Sequence, residues 1–336
     1  MPELLPIVAI TLGDPAGTGP ELILKALAQP EVRGLARMII VGDAAVLERA
    51  QAFAGTKLRL NAVADVAQAH FSSGALDVLD LKNVKLAELQ TGKAQPMAGH
   101  AAYEYVKTAA ELALAGQVGA IVTSAINKAA LNAAGHHFDG HTGLLAEVCK
   151  APGATMMLVA DKLRVSHVST HVSLRQAIDR VRPERIMKVL QLTNDAVKRL
   201  GIAKPKLAVA GLNPHAGEGG LFGDDEEKYI MPAIAQARAA GLDASGPHPG
   251  DTIFFRTAQG EFDAAVAMYH DQGHVAAKML GIWRGVNVTL GLPIIRTSVE
   301  HGTDFANAGT GRGDPRSLIE ALKLAAAMAR KSPQSA

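Results

Sequence analysis

The chain has 336 residues, of which 48% are hydrophobic and only 4% aromatic, and its formal net charge is +2. This length suits two domains rather than one, and the apolar content suffices for full cores built from Ala, Val, Leu and Ile; with charges nearly balanced and no long basic run, a nucleic-acid footprint is excluded. The single cysteine, Cys149, excludes an intrachain disulfide and a cysteine-rich structural zinc, and no run of about 18 apolar residues is present to cross a bilayer.

The first residues carry no positive stretch ahead of their apolar run and do not read as a signal peptide, so a reduced, cytoplasmic setting is expected. Residues 7–12 are a short apolar run ending at Gly13 and read as a buried strand, with a helix over 20–28. A second strand is expected at 38–41, a helix at 44–54, a long Ala- and Leu-rich helix at 101–115 and a strand at 120–123. Residues 155–159 and 163–168 are close enough to form a hairpin. Further strands are expected at 206–210, 264–268 and 286–290, helices at 183–200, 226–240 and 316–329, and a frayed tail at 332–336. The alternation predicts an α/β protein with mainly parallel sheets, whose ligands bind beyond the carboxyl ends of strands.

Four segments read as apolar runs that end in chemically capable residues. They are 168–171 (Val-Ser-Thr-His), 211–218 (Gly-Leu-Asn-Pro-His-Ala-Gly-Glu), 268–274 (Met-Tyr-His-Asp-Gln-Gly-His) and 140–142 (Gly-His-Thr). Strand ends of one sheet converge on one place, so His171, His215 and His270 are candidates for a shared metal ion. Three neutral imidazoles suit Zn²⁺ and similar borderline ions and leave a coordination position open for substrate. The turn 13–21, Gly-Asp-Pro-Ala-Gly-Thr-Gly-Pro-Glu, is neither a Walker A loop nor GxGxxG; it reads as an anion-binding helix start or as a tight βα turn. A second glycine-rich loop holds His301, Gly302, Thr303, Gly309 and Gly311. Lys278, Asn287 and Arg296 lie between it and His270, and the two cations suit phosphate or carboxylate oxygens.

Taken together, these motifs resemble the 4-hydroxythreonine-4-phosphate dehydrogenase family of pyridoxal phosphate biosynthesis. The likeness runs from 10–17 (Ile-Thr-Leu-Gly-Asp-Pro-Ala-Gly) through 211–218 and 269–273 to 286–293 (Val-Asn-Val-Thr-Leu-Gly-Leu-Pro) and 296–298 (Arg-Thr-Ser). The resemblance implies two α/β/α domains of the isocitrate and isopropylmalate dehydrogenase kind, with the active site in the cleft between them. Residues 1–140 with 290–336 would form the first and 141–289 the second. It further implies a homodimer whose metal site draws on both subunits, with His171, His215 and His270 as ligands. His141, Thr142, Lys278, Asn287 and Arg296 would bind substrate, and the loop from His301 to Gly311 would bind the adenosine end of NAD. The implied reaction is NAD-dependent oxidation of the C3 hydroxyl of a four-carbon 4-phosphorylated acid, followed by loss of CO₂, with Zn²⁺, Co²⁺, Mn²⁺ or Mg²⁺ as the ion.

Three positions depart from the family pattern. Gly143 stands where members commonly carry Glu, so a carboxylate near the substrate is expected to be missing. His274 replaces an apolar residue and looks more like the branch that oxidises 4-phospho-D-threonate or 4-phospho-D-erythronate. Ala306 stands where the related dehydrogenases carry an acid, with Asp304 out of register, which leaves NADP open beside NAD. An amine at C2 is a cation that favours a carboxylate, whereas a hydroxyl can pair with an imidazole, so Gly143 and His274 both favour the hydroxy acid. The residues alone also admit a metal-dependent hydrolase or a phosphometabolite-binding protein, neither of which needs the 301–311 loop as a cofactor site.

Overall fold

The computed structural model describes residues 4–281 and 285–330, so the tail expected at 332–336 lies outside the described residues. The chain divides into two compact α/β units. One runs to Ala154 and resumes at Leu292, and the other is Thr155–Gly291. The strands in chain order are β1 (Ile7–Thr11), β2 (Arg37–Gly42), β3 (Leu60–Val63), β4 (Leu76–Asp80), β5 (Ala120–Thr123), β6 (Thr155–Ala160), β7 (Leu163–His167), β8 (Lys206–Ala210), β9 (Asp243–His248), β10 (Ala264–Ala267), β11 (Val286–Leu290) and β12 (Arg296–Ser298).

In the first unit the sheet order is β3-β4-β2-β1-β5-β12, and every pair is parallel. Parallel strands need crossovers, and helices on the two faces supply them. Pro96–Leu114 packs on β1, β2 and β5, while Arg316–Arg330 packs on β5, β12 and β1. With few aromatic residues available, the packing relies on small side chains. Ala98, Ala101, Ala102, Ala109 and Ala110 are buried along Pro96–Leu114, and a Cβ on Gly99 would overlap the backbone of Ala130. The helix His141–Val148 packs against Pro96–Leu114. His141 therefore belongs to the first unit, and the crossing lies after Ala154 rather than at residue 140. From β1 the chain runs to β2, β3 and β4 on one side, and then crosses to β5 on the other side of β1. The carboxyl ends of β1 and β5 are thus the switch point at which α/β sheets bind ligands.

In the second unit the order is β11-β6-β7-β10-β8-β9. The expected hairpin is present, since β6 and β7 are antiparallel, as are β11 and β6. The remaining pairs, β7 with β10, β10 with β8 and β8 with β9, are parallel. One core on this sheet gathers Val168, Ile186, Leu190, Val209 and Ile230; the other gathers Leu158, Val165, Ile253, Phe254 and Ala277. Each large aliphatic side chain so buried contributes about 1.5–3 kcal/mol. The expected helix 226–240 begins instead with a π-helical turn, Glu226–Ile230, before Met231–Ala239.

Candidate functional site

In the second unit, β10 lies between β7 and β8, and all three run the same way. His171, His270 and His215 leave the carboxyl ends of these three neighbours. The rings of His171 and His270 are 5.5 Å apart between centroids. Two imidazoles on one tetrahedral ion, with bonds of about 2.0–2.1 Å, hold their ring centres roughly 5 Å apart. His215 does not join them within one chain. It lines a neighbouring hollow of about 900 Å³ with Leu212, Tyr269, Asp271 and Gln272. Among the described residues, no three His, Cys, Asp or Glu side chains of a single chain are grouped to hold an ion.

The donors nevertheless suit a borderline divalent ion. Nδ1 of His270 hydrogen-bonds to Oδ1 of Asp271 at 2.6 Å, and Nδ1 of His215 to Oε2 of Glu218 at 2.7 Å. A carboxylate at Nδ1 assigns the proton there and leaves the Nε2 lone pair for a metal, the usual outer-shell arrangement of metal-binding histidines. The hydrogen bond to His270 also holds the Asp271 carboxyl below its ordinary range.

Both segments are held by side chains that sequence reasoning did not single out. His215, Ala216 and Glu218 all have positive φ, a left-handed turn that costs about 1–2 kcal/mol per non-glycine residue. Buried Glu226 offsets this by accepting from the backbone N–H groups of Leu212 and Asn213, at 2.8 and 2.7 Å, and from Nδ2 of Asn213 at 3.0 Å. Gln272 accepts from the Met268 N–H and donates to the Gly211 carbonyl, both at 2.7 Å, and so ties the end of β10 to the end of β8. Asp271 and Glu218 lay within the motifs and were open to discovery there. Glu226 and Gln272 carried no sequence signal of their partners. Lys278 is exposed on the helix His270–Met279, and Asn287, on β11, has a solvent-excluded Oδ1 with no hydrogen-bond partner.

The first unit gathers a different set. Arg296 is 1% exposed, and its Nε and Nη2 donate to Oγ1 of Thr123 at 3.1 and 2.7 Å. Burial lowers its pKa to about 9, which leaves it a cation at neutral pH. His141 stands close by at the start of a helix, not at a strand end as its motif suggested. Desolvation, then the Arg296 charge, push its pKa well below the usual histidine value, while a hydrogen bond to the Ser124 backbone opposes them. Its Nε2 is closed off from solvent without a partner, as are Oγ1 of Thr11, Oγ of Ser124 and Oδ2 of Asp14. Buried polar atoms left unpaired cost stability, so a cluster of them at a switch point marks a place where a polar ligand completes the bonding. Thr142 follows His141, half-buried in the same first turn.

The glycine-rich loop of the first unit is firmly anchored. The Thr303 carbonyl accepts from the Thr18 N–H and Oγ1, at 3.0 and 3.3 Å. The turn 13–21 therefore buttresses this loop. Buried Glu21 accepts from the Gly311 and Gly313 N–H groups at 3.4 and 3.0 Å, while Nζ of Lys25 donates to their carbonyls at 2.5 and 2.9 Å. Gly309 and Gly311 have φ of 74° and 72°, and a Cβ on Gly311 would meet the Phe53 carbonyl oxygen at 2.5 Å. His301 donates from Nδ1 to the Gly302 carbonyl at 2.8 Å, and its Nε2 is solvent-excluded without a partner. Asp304, at φ 47°, is held by Nδ2 of Asn307.

Residues 34–325 match the family model described as pyridoxal phosphate biosynthetic protein PdxA. The chain belongs to this family. It is 46% identical over 332 residues to the D-threonate 4-phosphate dehydrogenase of Cupriavidus necator, covering 98% of this chain and 99% of the relative. It is 48% identical over 323 residues to the enzyme of the same name from Salmonella typhimurium, covering 96% and 98%. Among solved structures, a 4-hydroxythreonine-4-phosphate dehydrogenase from Burkholderia phymatum superposes with a TM-score of 0.88 at 45% identity, covering 96% of this chain and 98% of that one.

Two departures from the PdxA family pattern acquire a physical meaning. At Gly143 the space beside the backbone is taken by Asp139, whose Oδ1 lies 2.6 Å from where a Cβ would sit. His274 is 6% exposed and stacks on His270 with centroids 3.6 Å apart. Its Nδ1 is committed to the His270 carbonyl at 3.0 Å and to Nε2 of His167 at 3.2 Å. Burial, then the neighbouring His270, lower the His274 pKa to about 4.

Burial of Asp14 within this first-unit cluster makes the stability depend on pH. Burial raises its pKa from 3.8 to about 6, opposed by the hydrogen bond from the Ala16 N–H. A carboxyl whose folded pKa is raised favours the native state below its unfolded pKa, and that advantage disappears as pH rises through the folded value. Between about pH 4 and 6 the wild type should lose up to about 3 kcal/mol that Asp14→Asn does not lose. Thermal unfolding of the two proteins across this window checks it. The Asn variant should gain a few degrees relative to wild type as pH rises, and parallel profiles would refute the raised pKa.

Proposed function

We propose that this chain oxidises a four-carbon 4-phosphorylated 3-hydroxy acid, with D-threonate 4-phosphate as the first candidate, using NAD and a divalent ion. The observation that carries this reading is near-full-length identity of 46% and 48% to two relatives that bear that name. His274 does not carry the choice of substrate in this reading, because its Nδ1 is committed behind His270. Oxidation at C3 removes the carbon-bound hydrogen with its two electrons, as hydride, together with the hydroxyl proton; the resulting β-keto acid loses CO₂, and C2 takes up a proton in its place.

When bound to His171, His215 and His270, a divalent ion supplies a positive charge that lowers a hydroxyl pKa and stabilises negative charge on its oxygen. The nicotinamide supplies the hydride acceptor, and the loop carrying His301, Gly302, Thr303, Gly309 and Gly311 is the segment we assign to its dinucleotide. The chain's own groups bind and orient. Arg296 is a dehydrated cation already fixed by Thr123, so its guanidinium plane is preorganised for phosphate or carboxylate oxygens at little entropic cost. His141 is neutral. With one ring nitrogen on the Ser124 backbone, it offers the Nε2 lone pair to a substrate hydroxyl and can hold that proton. Thr142, Lys278 and Asn287 complete the assigned polar lining. Binding energy from the remote phosphate positions the reacting carbon.

A homodimer belongs to the same proposal. Val275 and Met279 on one helix and Phe255 on another are 60%, 82% and 67% exposed. Val275 and Phe255 line the hollow that holds His215. An apolar surface beside an unassembled ligand set suits a second copy of this chain. No helix among the described residues is long and apolar enough to cross a membrane, and we place the enzyme in the cytoplasm.

The test is NADH absorbance with NAD, one added divalent metal and three acids: 4-phospho-D-threonate, 4-phospho-D-erythronate and 4-phosphohydroxy-L-threonine. One of the hydroxy acids should show kcat/KM at least equal to that of the amino acid. A preference above about tenfold (roughly 1.4 kcal/mol) for the amino acid would reject the substrate while leaving the family intact. With the preferred acid, Arg296→Ala should lower kcat/KM by about 10- to 1,000-fold, and Arg296→Lys, which keeps the charge but not the fork, by less. Values within about twofold of wild type in folded variants would remove Arg296 from the site.

A further inference from the structure

Four imidazoles of the second unit form a continuous array. His171 meets His270, His270 stacks on His274 at 3.6 Å and 12°, and His274 meets His167 at 4.6 Å between centroids. Only the first two belong to the assigned ligand set. His167 is fully buried at the end of β7, beside Ala267 of β10. His274 lies one helical turn beyond His270, so the two side chains share a helix face.

The hydrogen bonds fix the chemistry of the inner pair. Were Nδ1 of His274 unprotonated, its lone pair would face the His270 carbonyl oxygen 3.0 Å away, which is repulsive. The proton therefore sits on Nδ1 and is shared between that carbonyl and Nε2 of His167, 3.2 Å away. This arrangement depends on Gly273. A Cβ there would overlap Nε2 of His167 and lie 2.6 Å from Cγ1 of Val165, so any other residue would drive His167 from beneath the helix. The run Asp-Gln-Gly-His at 271–274 thus contains an outer orienting carboxylate, a tie to β8, a gap and an inner imidazole.

We infer that His274 and His167 are positioning residues that hold the His270 ring ready for its metal ion. The hydrogen bond from Asp271 acts on one edge of that ring, and the Asp271 side chain is 78% exposed. A bond so open to water restrains weakly. The face of the ring is restrained by His274, which is itself fixed to His167 and through it to β7. Rotation of the His270 ring about its own bond must displace a buried, doubly bonded imidazole. Preorganisation of this kind lowers the entropy lost when a ligand is bound. It also explains a polar residue at 274 that does not act on substrate.

The inference rests on the proposed metal site, and the experiment separates the two. The full-length protein is stripped of metal and titrated with Co²⁺, with its visible d–d absorption followed for wild type, H270A, H274L and H274N. H270A should abolish the wild-type spectrum. H274L keeps the volume but removes the donor and stacked ring. It should weaken Co²⁺ binding by about 10- to 100-fold and alter the spectrum, with the NADH dissociation constant unchanged within about twofold. H274N returns an N–H near the position of Nδ1 and should recover part of the loss. If H274L does not fold, H274F, with a stacked ring but no donor, takes its place in the comparison. Loss of binding in H270A with wild-type affinity and spectrum in H274L would overturn the positioning role and leave the metal site standing. Wild-type binding in H270A would overturn both.

Discussion

Because β10 lies between β7 and β8 and the three run parallel, the segments leaving their carboxyl ends emerge side by side, about 4.8 Å apart from strand to strand. This constraint brings residues as distant in the chain as His171, His270 and His215 to the ends of neighbouring strands. The chain passes from β7 through Pro183–Arg199 to β8, one place away, and the later β10 occupies the place between them. The same logic operates in the first unit. There the strand order reverses between β1 and β5, and Asp14, Ser124 and the Arg296 guanidinium gather at the strand ends beside that reversal.

The glycine-rich segments at these ends would be loose if glycine alone shaped them, because glycine adds backbone freedom. Each is fixed by one or two side chains from a neighbouring element. Glu226 holds the 212–213 backbone, Gln272 spans β10 and β8, and Glu21 with Lys25 grips both faces of the 311–313 backbone. In each case a buried or half-buried polar group meets backbone donors or acceptors that no sheet or helix satisfies. This satisfies the rule that buried polar groups be paired and holds the loop in place. At the first unit's polar cluster the same rule is left unmet, at His141, Ser124, Thr11 and Asp14.

The central strands were legible in the sequence because they are short, apolar and bounded by turn residues. β1, β5, β8 and β11 match the expected runs within a residue. β9 (Asp-Ala-Ser-Gly-Pro-His) and β12 (Arg-Thr-Ser) carried no such signal, since neighbouring strands rather than hydrophobicity dictate their pairing. β3, at the sheet edge, is largely half-buried and was equally silent. At the site, the histidines, Arg296 and the carboxylates beside them were visible as motifs. Their supports were not. Nothing in the sequence couples Glu226 to Asn213, Glu21 to Gly313 or His167 to Gly273, because those contacts follow from three-dimensional approach. The approach of Asp139 to Gly143 is of the same kind, since no sequence pattern announces which side chain fills the space beside a glycine.

The account stands on one ion being shared by His171, His270 and His215, although a single chain joins only the first two. Anomalous diffraction at the metal edge, from crystals of the assembled protein loaded with Zn²⁺ or Co²⁺, addresses this directly. The account predicts a peak about 2.0–2.3 Å from a ring nitrogen of each of the three histidines once the dimer is complete. An ion bound elsewhere, or three imidazoles still more than about 8 Å apart in the assembled protein, would contradict it.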